Sequence, residues 1–134
     1  MNEILVDTDV VSYLLNRHTL AADYEKLLIG HTPMISFMSV AELYRGAFKK
    51  NWGEKRMAEL ESHVRQFAVV PYSLRVCIAY GQICDSADRK GRTIAIGDAF
   101  IAACALSLGI PLMTNNGRHF EGIEGLRVVS AAKP

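Results

Sequence analysis

The sequence predicts an α/β fold: a three-layer α/β/α sandwich on a short, mostly parallel five-stranded sheet. Two observations carry that expectation. Short apolar runs, several of them rich in β-branched residues, alternate with helix-length amphipathic segments, the order that builds a parallel sheet covered by helices. The run Ala99–Leu106 is apolar on every side, which suits a helix enclosed by neighbours. No internal repeat, low-complexity tract or linker interrupts the pattern.

In chain order, Ile4-Leu5-Val6 is the first strand, ended by Asp7-Thr8-Asp9; Val10, Val11, Leu14 and Leu15 then recur at helical spacing. Leu20, Tyr24, Leu27 and Leu28 share one face of a second helix, ended by Gly30 in a position that suits a left-handed terminus. Pro33 introduces a strand at Met34-Ile35-Ser36. Ser39 opens a helix with Glu42 three residues on, the pattern of a capping box. The charged segment from Trp52 to Gln66 is helical, with a stripe of Met57, Leu60 and Val64, and Phe67 to Val70 is a strand closed by Pro71. Ser73 caps the next helix, which buries Val76, Cys77, Tyr80, Ile83, Cys84 and Ala87. Asp88 to Arg92 is turn-like. Asp98 starts the most apolar helix, stopped by Gly109-Ile110-Pro111. Leu112-Met113-Thr114 is a strand, a polar loop passes through Asn115, Asn116 and Gly117, and Leu126 to Val129 is the last strand.

At 134 residues, half of them apolar, the chain is expected to form one domain over 1–134 that buries its core without disulfides. Fifteen Lys and Arg face 14 Asp and Glu, a net charge of +1 that advertises no polyanionic or membrane partner by itself. Cys77, Cys84 and Cys104 form no CxxC pair, which argues against a disulfide framework or a cysteine zinc site. Glu3 and Asp7 break any signal-peptide pattern, and the longest apolar run is far short of the roughly 20 residues that span a bilayer. A soluble, cytoplasmic protein is expected.

The acidic residues carry the functional signal. In parallel sheets, ligands gather at the carboxyl ends of strands. Asp7 and Asp9 follow the first strand, Glu42 lies a helical turn beyond the second, Asp98 opens the helix before the fourth, and Asn116 follows the fourth. Each has a plain structural reading as well: Asp7 or Asp9 as a helix cap, Glu42 in its capping box, Asp98 as N-cap, Asn116 before a turn glycine. Together they form a crowd of carboxylates that a cation would relieve. Oxygen donors without clustered His or Cys suit Mg²⁺ or Mn²⁺, whose natural use is phosphoryl or phosphodiester chemistry.

Four segments in order make the chain resemble the PIN-domain ribonucleases, and within them the VapC toxins of toxin–antitoxin pairs. They are Ile4-Leu5-Val6-Asp7-Thr8-Asp9-Val10, Ser39-Val40-Ala41-Glu42-Leu43-Tyr44-Arg45-Gly46-Ala47, Gly97-Asp98-Ala99-Phe100-Ile101-Ala102-Ala103-Cys104-Ala105-Leu106 and Leu112-Met113-Thr114-Asn115-Asn116. The resemblance implies a PIN-like fold and Asp7 and Asp98 as the ligands of Mg²⁺ or Mn²⁺. It implies Glu42 as a further acid that binds metal through water or orients the attacking water. Asn116 falls where the family has Asp or Asn; the neutral amide adds no charge and leaves a second metal site unsupported. Thr8 matches a family hydroxyl, whereas Asp9 departs from the commoner small polar residue. The resemblance further implies cleavage of structured RNA such as tRNA by a metal-activated water, a homodimer, and a small antitoxin protein lying over the active-site groove. In-line attack by water predicts a 5′-phosphate and a 3′-hydroxyl; His18, His31, His63 and His119 show no pairing motif for the alternative chemistry.

An acidic site that holds a polyanion needs flanking cations. From Leu43 to Ala58, Arg45, Lys49, Lys50, Lys55 and Arg56 outnumber Glu54; Arg89, Lys90 and Arg92 form a second cluster, and Arg118 sits beside the Asn116 loop. The plain reading of such runs is a solvated helix face. Trp52 is read as packing at a helix end or subunit contact, with base stacking as the other option. Ala41, Leu43, Tyr44 and Ala47 are either core or an antitoxin surface. Two other functions stay open at this level. Asp7-Thr8-Asp9-Val10-Val11 also resembles the first motif of haloacid-dehalogenase-type phosphatases, with Asp7 as nucleophile and Asp9 as general acid, although no well-placed Lys segment accompanies it. A housekeeping PIN ribonuclease without an antitoxin would keep the same acidic set.

Overall fold

Ile4, Leu5 and Val6 have no solvent exposure and form β1 (Glu3–Val6), the centre of the sheet in the computed structural model, which describes residues 2–132. After it come α1 (Thr8–Asn16), α2 (Ala21–Leu28), β2 (Thr32–Ser36), α3 (Phe37–Lys49), α4 (Glu54–Val64) and β3 (Ala68–Val70). Then follow α5 (Leu74–Arg89), α6 (Ile96–Leu108), β4 (Leu112–Met113), a 3-10 turn (Gly117–Phe120) and β5 (Val128–Val129). The strand order is β3-β2-β1-β4-β5 and all four pairings are parallel. Leu5 sits opposite Met34 on one side and Leu112 on the other. The chain therefore steps outward from β1 to β3, then crosses back to lay β4 on the free side of β1. That reversal opens a crevice at the carboxyl ends of β1 and β4.

Strand side chains alternate between faces, and the core divides accordingly. Leu5, Val70 and Leu112 join α5, α6 and the 3-10 turn in one cluster that includes Ala102, Cys104 and Phe120. Ile4, Val6, Ile35 and Met113 point the other way, against Val10, Val11 and Tyr24 of α1 and α2. Helices on both faces make the expected three layers. A third cluster, Ala47, Leu60 and Val64, joins α3 to α4, and Leu43 and Tyr44 pack against it as part of the core. Ala41 is exposed. No helix of the described residues is long and apolar enough to cross a membrane.

Several local expectations are corrected. The cap of α3 is Ser36, whose hydroxyl accepts from the Met38 amide at 3.1 Å; Ser39 lies inside the helix, fully buried, so there is no capping box with Glu42. Asp98 is not an N-cap: α6 starts at Ile96 after Ala95, which puts Asp98 in the first turn. Residues 88–89 continue α5 instead of turning, and α4 begins at Glu54, two residues after Trp52. Cys77 is exposed, because the face of α5 turned to the core passes through Val76 and Ile83. Ser73 does cap α5, accepting from the Val76 amide, and Gly109 ends α6 at φ 65. The α6 run Ile101–Ala105 is wholly buried, as an all-round apolar helix requires.

Candidate active site

Four stretches of chain meet in the crevice. Asp7 ends β1 and caps α1, one turn of which carries Thr8 and Asp9; Glu42 projects from α3, Asp98 from the first turn of α6, and Asn116 from the loop after β4. All six line a cleft of about 390 Å³ together with Ser12, Asn16, Lys50, Trp52 and His119.

Asp7 is almost fully buried. One carboxylate oxygen accepts from the Thr8 amide at 2.8 Å and the other from the Thr114 hydroxyl at 2.6 Å, which joins the ends of β1 and β4. Thr8 donates its own hydroxyl to Glu42 Oε1 at 2.6 Å and lies 2.7 Å from the Ser39 hydroxyl, so Ser39 serves the site from inside α3. Glu42 also rests against Gly97, where an added Cβ would meet its carboxylate. Asp9 accepts from the Asn115 amide at 3.1 Å and from Asn116 Nδ2 at 3.0 Å. Asn115 is held in turn by the buried Tyr24, whose hydroxyl donates to its Oδ1 at 2.6 Å. His119 Nδ1 lies 3.3 Å from Asp98 Oδ2.

The electrostatics are those of a crowded anionic pocket. Burial, then the neighbouring Asp9 and more weakly Asp98, push Asp7 up to about 7, against the lowering pull of its hydrogen bonds from Thr114 and Thr8. Burial also raises Asp9, and it raises Asp98, which Glu42 and Asp9 push further in the same direction while His119 opposes them. Among the described residues no lysine or arginine pairs with any of these four acids. A divalent cation would supply the missing charge, and the donors are all oxygen, the set that Mg²⁺ or Mn²⁺ takes. Among the described residues no three His, Cys, Asp or Glu side chains form a ready-made metal cage. One or two carboxylates plus water are the usual protein share for Mg²⁺, and the cleft provides them.

The structure thus brings Asp7, Asp9, Glu42, Asp98 and Asn116 together as the topology of the sequence requires. Of the first basic run, Lys50 reaches the cleft, whereas Lys49 and Arg45 are exposed elsewhere. Trp52 packs on the Ala47–Leu60 cluster with Arg56 lying 4.2 Å over its ring, and one side of it lines the cleft. Ser39, Thr114 and Tyr24 were not singled out as site residues from the sequence; only Thr114, at the end of a predicted strand beside Asn116, carried a usable signal there. The phosphatase reading loses ground, since Asp9, its general acid, is turned onto Asn115 and Asn116.

Known proteins share this fold and part of this sequence. The sequence model of the PIN domain family matches residues 4–126. A protein of Haemophilus influenzae named ribonuclease VapC2 is 31% identical over 127 residues, covering 95% of this chain and 96% of its own length. A Shigella flexneri protein named tRNA(fMet)-specific endonuclease VapC is 31% identical over 128 residues, 95% of this chain and 96% of that one. Among solved structures, DNA-bound VapBC from Salmonella typhimurium superposes with a TM-score of 0.85 at 30% identity, covering 97% of this chain and 98% of that chain. VapBC2 from Rickettsia felis, bound to a DNA fragment from its promoter, gives a TM-score of 0.85 at 25% identity over 96% of this chain and 98% of that chain.

Proposed function

Because the chain belongs to the PIN domain family, we propose that it is an Mg²⁺- or Mn²⁺-dependent endoribonuclease, acting in the cytoplasm as the toxin of a toxin–antitoxin pair. One observation carries the reading: Asp7, Glu42 and Asp98, from three separate segments, line one cleft with no lysine or arginine partner among the described residues. The relatives named ribonuclease and the solved VapBC complexes support it.

In this reading Asp7 and Asp98 hold the metal. When bound, the ion generates a water nucleophile at neutral pH and offsets charge on the phosphoryl oxygens. Glu42, fixed by Thr8, orients the attacking water. Asn116, tied to Asp9, positions water or phosphate without adding charge. Lys50, on the rim of the cleft, meets a phosphate of the strand. In-line displacement of the 3′ oxygen leaves a 5′-phosphate and a 3′-hydroxyl. A structured RNA such as tRNA is the proposed substrate, in line with the name of the Shigella flexneri relative. A small antitoxin covers the groove, and the single domain pairs as a homodimer; Leu74 and Ile78, exposed one turn apart on α5, offer an apolar surface for a second copy.

The test is 5′-end mapping of total cellular RNA incubated with purified, antitoxin-free protein. It is run with Mg²⁺ or Mn²⁺, with chelator, and with Asp98→Asn. Discrete metal-dependent cuts bearing 5′-phosphates, absent in the variant, are expected. Intact RNA under every condition would refute the nuclease reading.

A further inference from the structure

A second hollow, of about 460 Å³, lies beside the catalytic cleft, and His119 belongs to both. It is enclosed by α5, by the segment leading to α6, and by residues 118–124. Its apolar wall is Ile83, Ile94, Leu106 and Ile123. Lys90, Arg92 and Arg118 line it, and among the described residues none of the three pairs with a carboxylate. Two of them are instead gathered on one glycine. Lys90 Nζ donates to the Gly122 carbonyl at 3.2 Å, and the Arg92 guanidinium occupies the space that a Cβ on Gly122 would take. Gly122 has φ +77, a conformation L side chains rarely adopt, so the turn and the place for Arg92 both depend on glycine there.

We infer that this hollow receives the nucleotide next to the scissile phosphate of the RNA, with its phosphate on Lys90, Arg92 and Arg118 and its base against the apolar wall. The inference rests on the nuclease reading above. The catalytic cleft is anionic and repels the strand it has to hold, so cations are needed on both sides of it. Lys50 lines the cleft itself, and these three line the hollow that adjoins it through His119. A hollow of this volume is within the range of small-ligand sites. Glu121 and Glu124 also line it; they repel phosphate but accept from the N–H groups of a base edge, which turns the base inward and the phosphate toward the cations. The Arg guanidinium planes and the His119 ring offer stacking surfaces.

Two measurements test this. In the first, Lys90→Glu/Arg92→Glu is built on the Asp98→Asn chain, and binding to fluorescently labelled bulk tRNA is followed by anisotropy across a salt series. Affinity is expected to fall at least tenfold, and the log–log salt slope to lessen by about 1 to 2 as phosphate contacts are lost. In the cutting-competent chain the same pair should raise KM while kcat stays within twofold, because these cations sit away from the reacting atoms. Both side chains are exposed, and an unchanged melting temperature verifies the fold. In the second, amide chemical shifts are followed as 5′-nucleoside monophosphates are added, with inorganic phosphate as control. Shifts are expected in residues 79–94 and 118–124 and should exceed those from phosphate alone. Unaltered RNA affinity, or shifts that phosphate alone reproduces, would overturn the inference. So would a double variant that loses antitoxin binding but keeps its RNA affinity, since the hollow would then serve a protein. Wild-type protein that cuts no RNA refutes the nuclease reading itself; protein that cuts, with KM unmoved in the double variant, refutes only the hollow's role.

Discussion

Glu42 lays its carboxylate against the bare Cα of Gly97, the residue immediately before Asp98. Two acids of the site are thereby kept close by the absence of a methyl group. Gly97 lies in the first turn of α6, where alanine would ordinarily favour the helix by roughly 0.5–1 kcal/mol. The added Cβ would meet only the mobile end of the Glu42 side chain, which can swing away at small cost to folding but only by leaving the Thr8 hydroxyl. Gly97→Ala is therefore expected to keep or raise the melting temperature while cleavage falls at least tenfold. A parallel loss of stability would show that the backbone, not Glu42, had to move.

Asp7 sets the pH response of the metal-free protein. The folded chain keeps its proton up to about 7, against an ordinary value of 3.8. Between those values the folded state binds more protons than the unfolded one, so stability is full below about 4 and is lost as pH rises through about 7. The difference amounts to up to about 4 kcal/mol, with Asp9 and Asp98 acting in the same direction. Chelated protein should unfold at lower urea at pH 8 than at pH 5, and Mg²⁺ or Mn²⁺ should restore much of the loss at pH 8.

Asp7→Asn should abolish cleavage yet stabilise the chelated protein at pH 8. An amide oxygen can still accept from the Thr8 amide, and its NH₂ can face the Thr114 hydroxyl, which turns to accept. The expected gain is about 1–3 kcal/mol, from removal of a buried charge, read from urea midpoints. A less stable variant at pH 8 would mean that the ionised form of Asp7 is better compensated than its surroundings indicate.

Tyr24 is fully buried, and its hydroxyl donates to Asn115 at 2.6 Å while accepting from the Ala131 amide at 3.3 Å. Tyr24→Phe leaves both without that partner and should cost about 1–3 kcal/mol, seen as a lower urea midpoint with an unchanged slope. Cleavage should drop severalfold as well, because the loop it fixes carries the Asn115 amide and Asn116, both bonded to Asp9.

Lys50 and Lys49 are neighbours with different expected effects. Lys50 lines the cleft and Lys49 does not. Lys50→Ala should weaken RNA binding and reduce its salt slope by about 0.7–0.9, the contribution of a single phosphate contact. Lys49→Ala should leave the slope where it was. Equal effects would assign the contact to a diffuse field instead of a seated side chain.

Much of this architecture was legible because it depends on local pattern. The buried triplet Ile4-Leu5-Val6 ending at Asp7, and the all-round apolar α6, are read directly from residue type and spacing. The order β3-β2-β1-β4-β5 is a different kind of fact, since nothing in β4 itself says that it pairs with β1. Helix starts were harder still. Ser36 and Ser39 are equally good caps by composition, and the choice is made by the two tertiary bonds that hold Ser39 near Thr8 and Thr8 on Glu42. Supporting residues such as Thr114 and Tyr24 act across about a hundred positions of sequence, a distance over which no periodicity carries information.

The bond from Thr114 to Asp7 spans 107 residues, and β4 is the strand that completes the pairing of β1. During synthesis Asp7, Glu42 and Asp98 all leave the ribosome before the strand that fixes the first of them. A nascent chain stopped short of residue 112 keeps one edge of its central strand unpaired and its carboxylates unassembled. On the nuclease reading proposed above, the cleft that would cut RNA stays unassembled until residues 112–116 have followed its acids out of the ribosome.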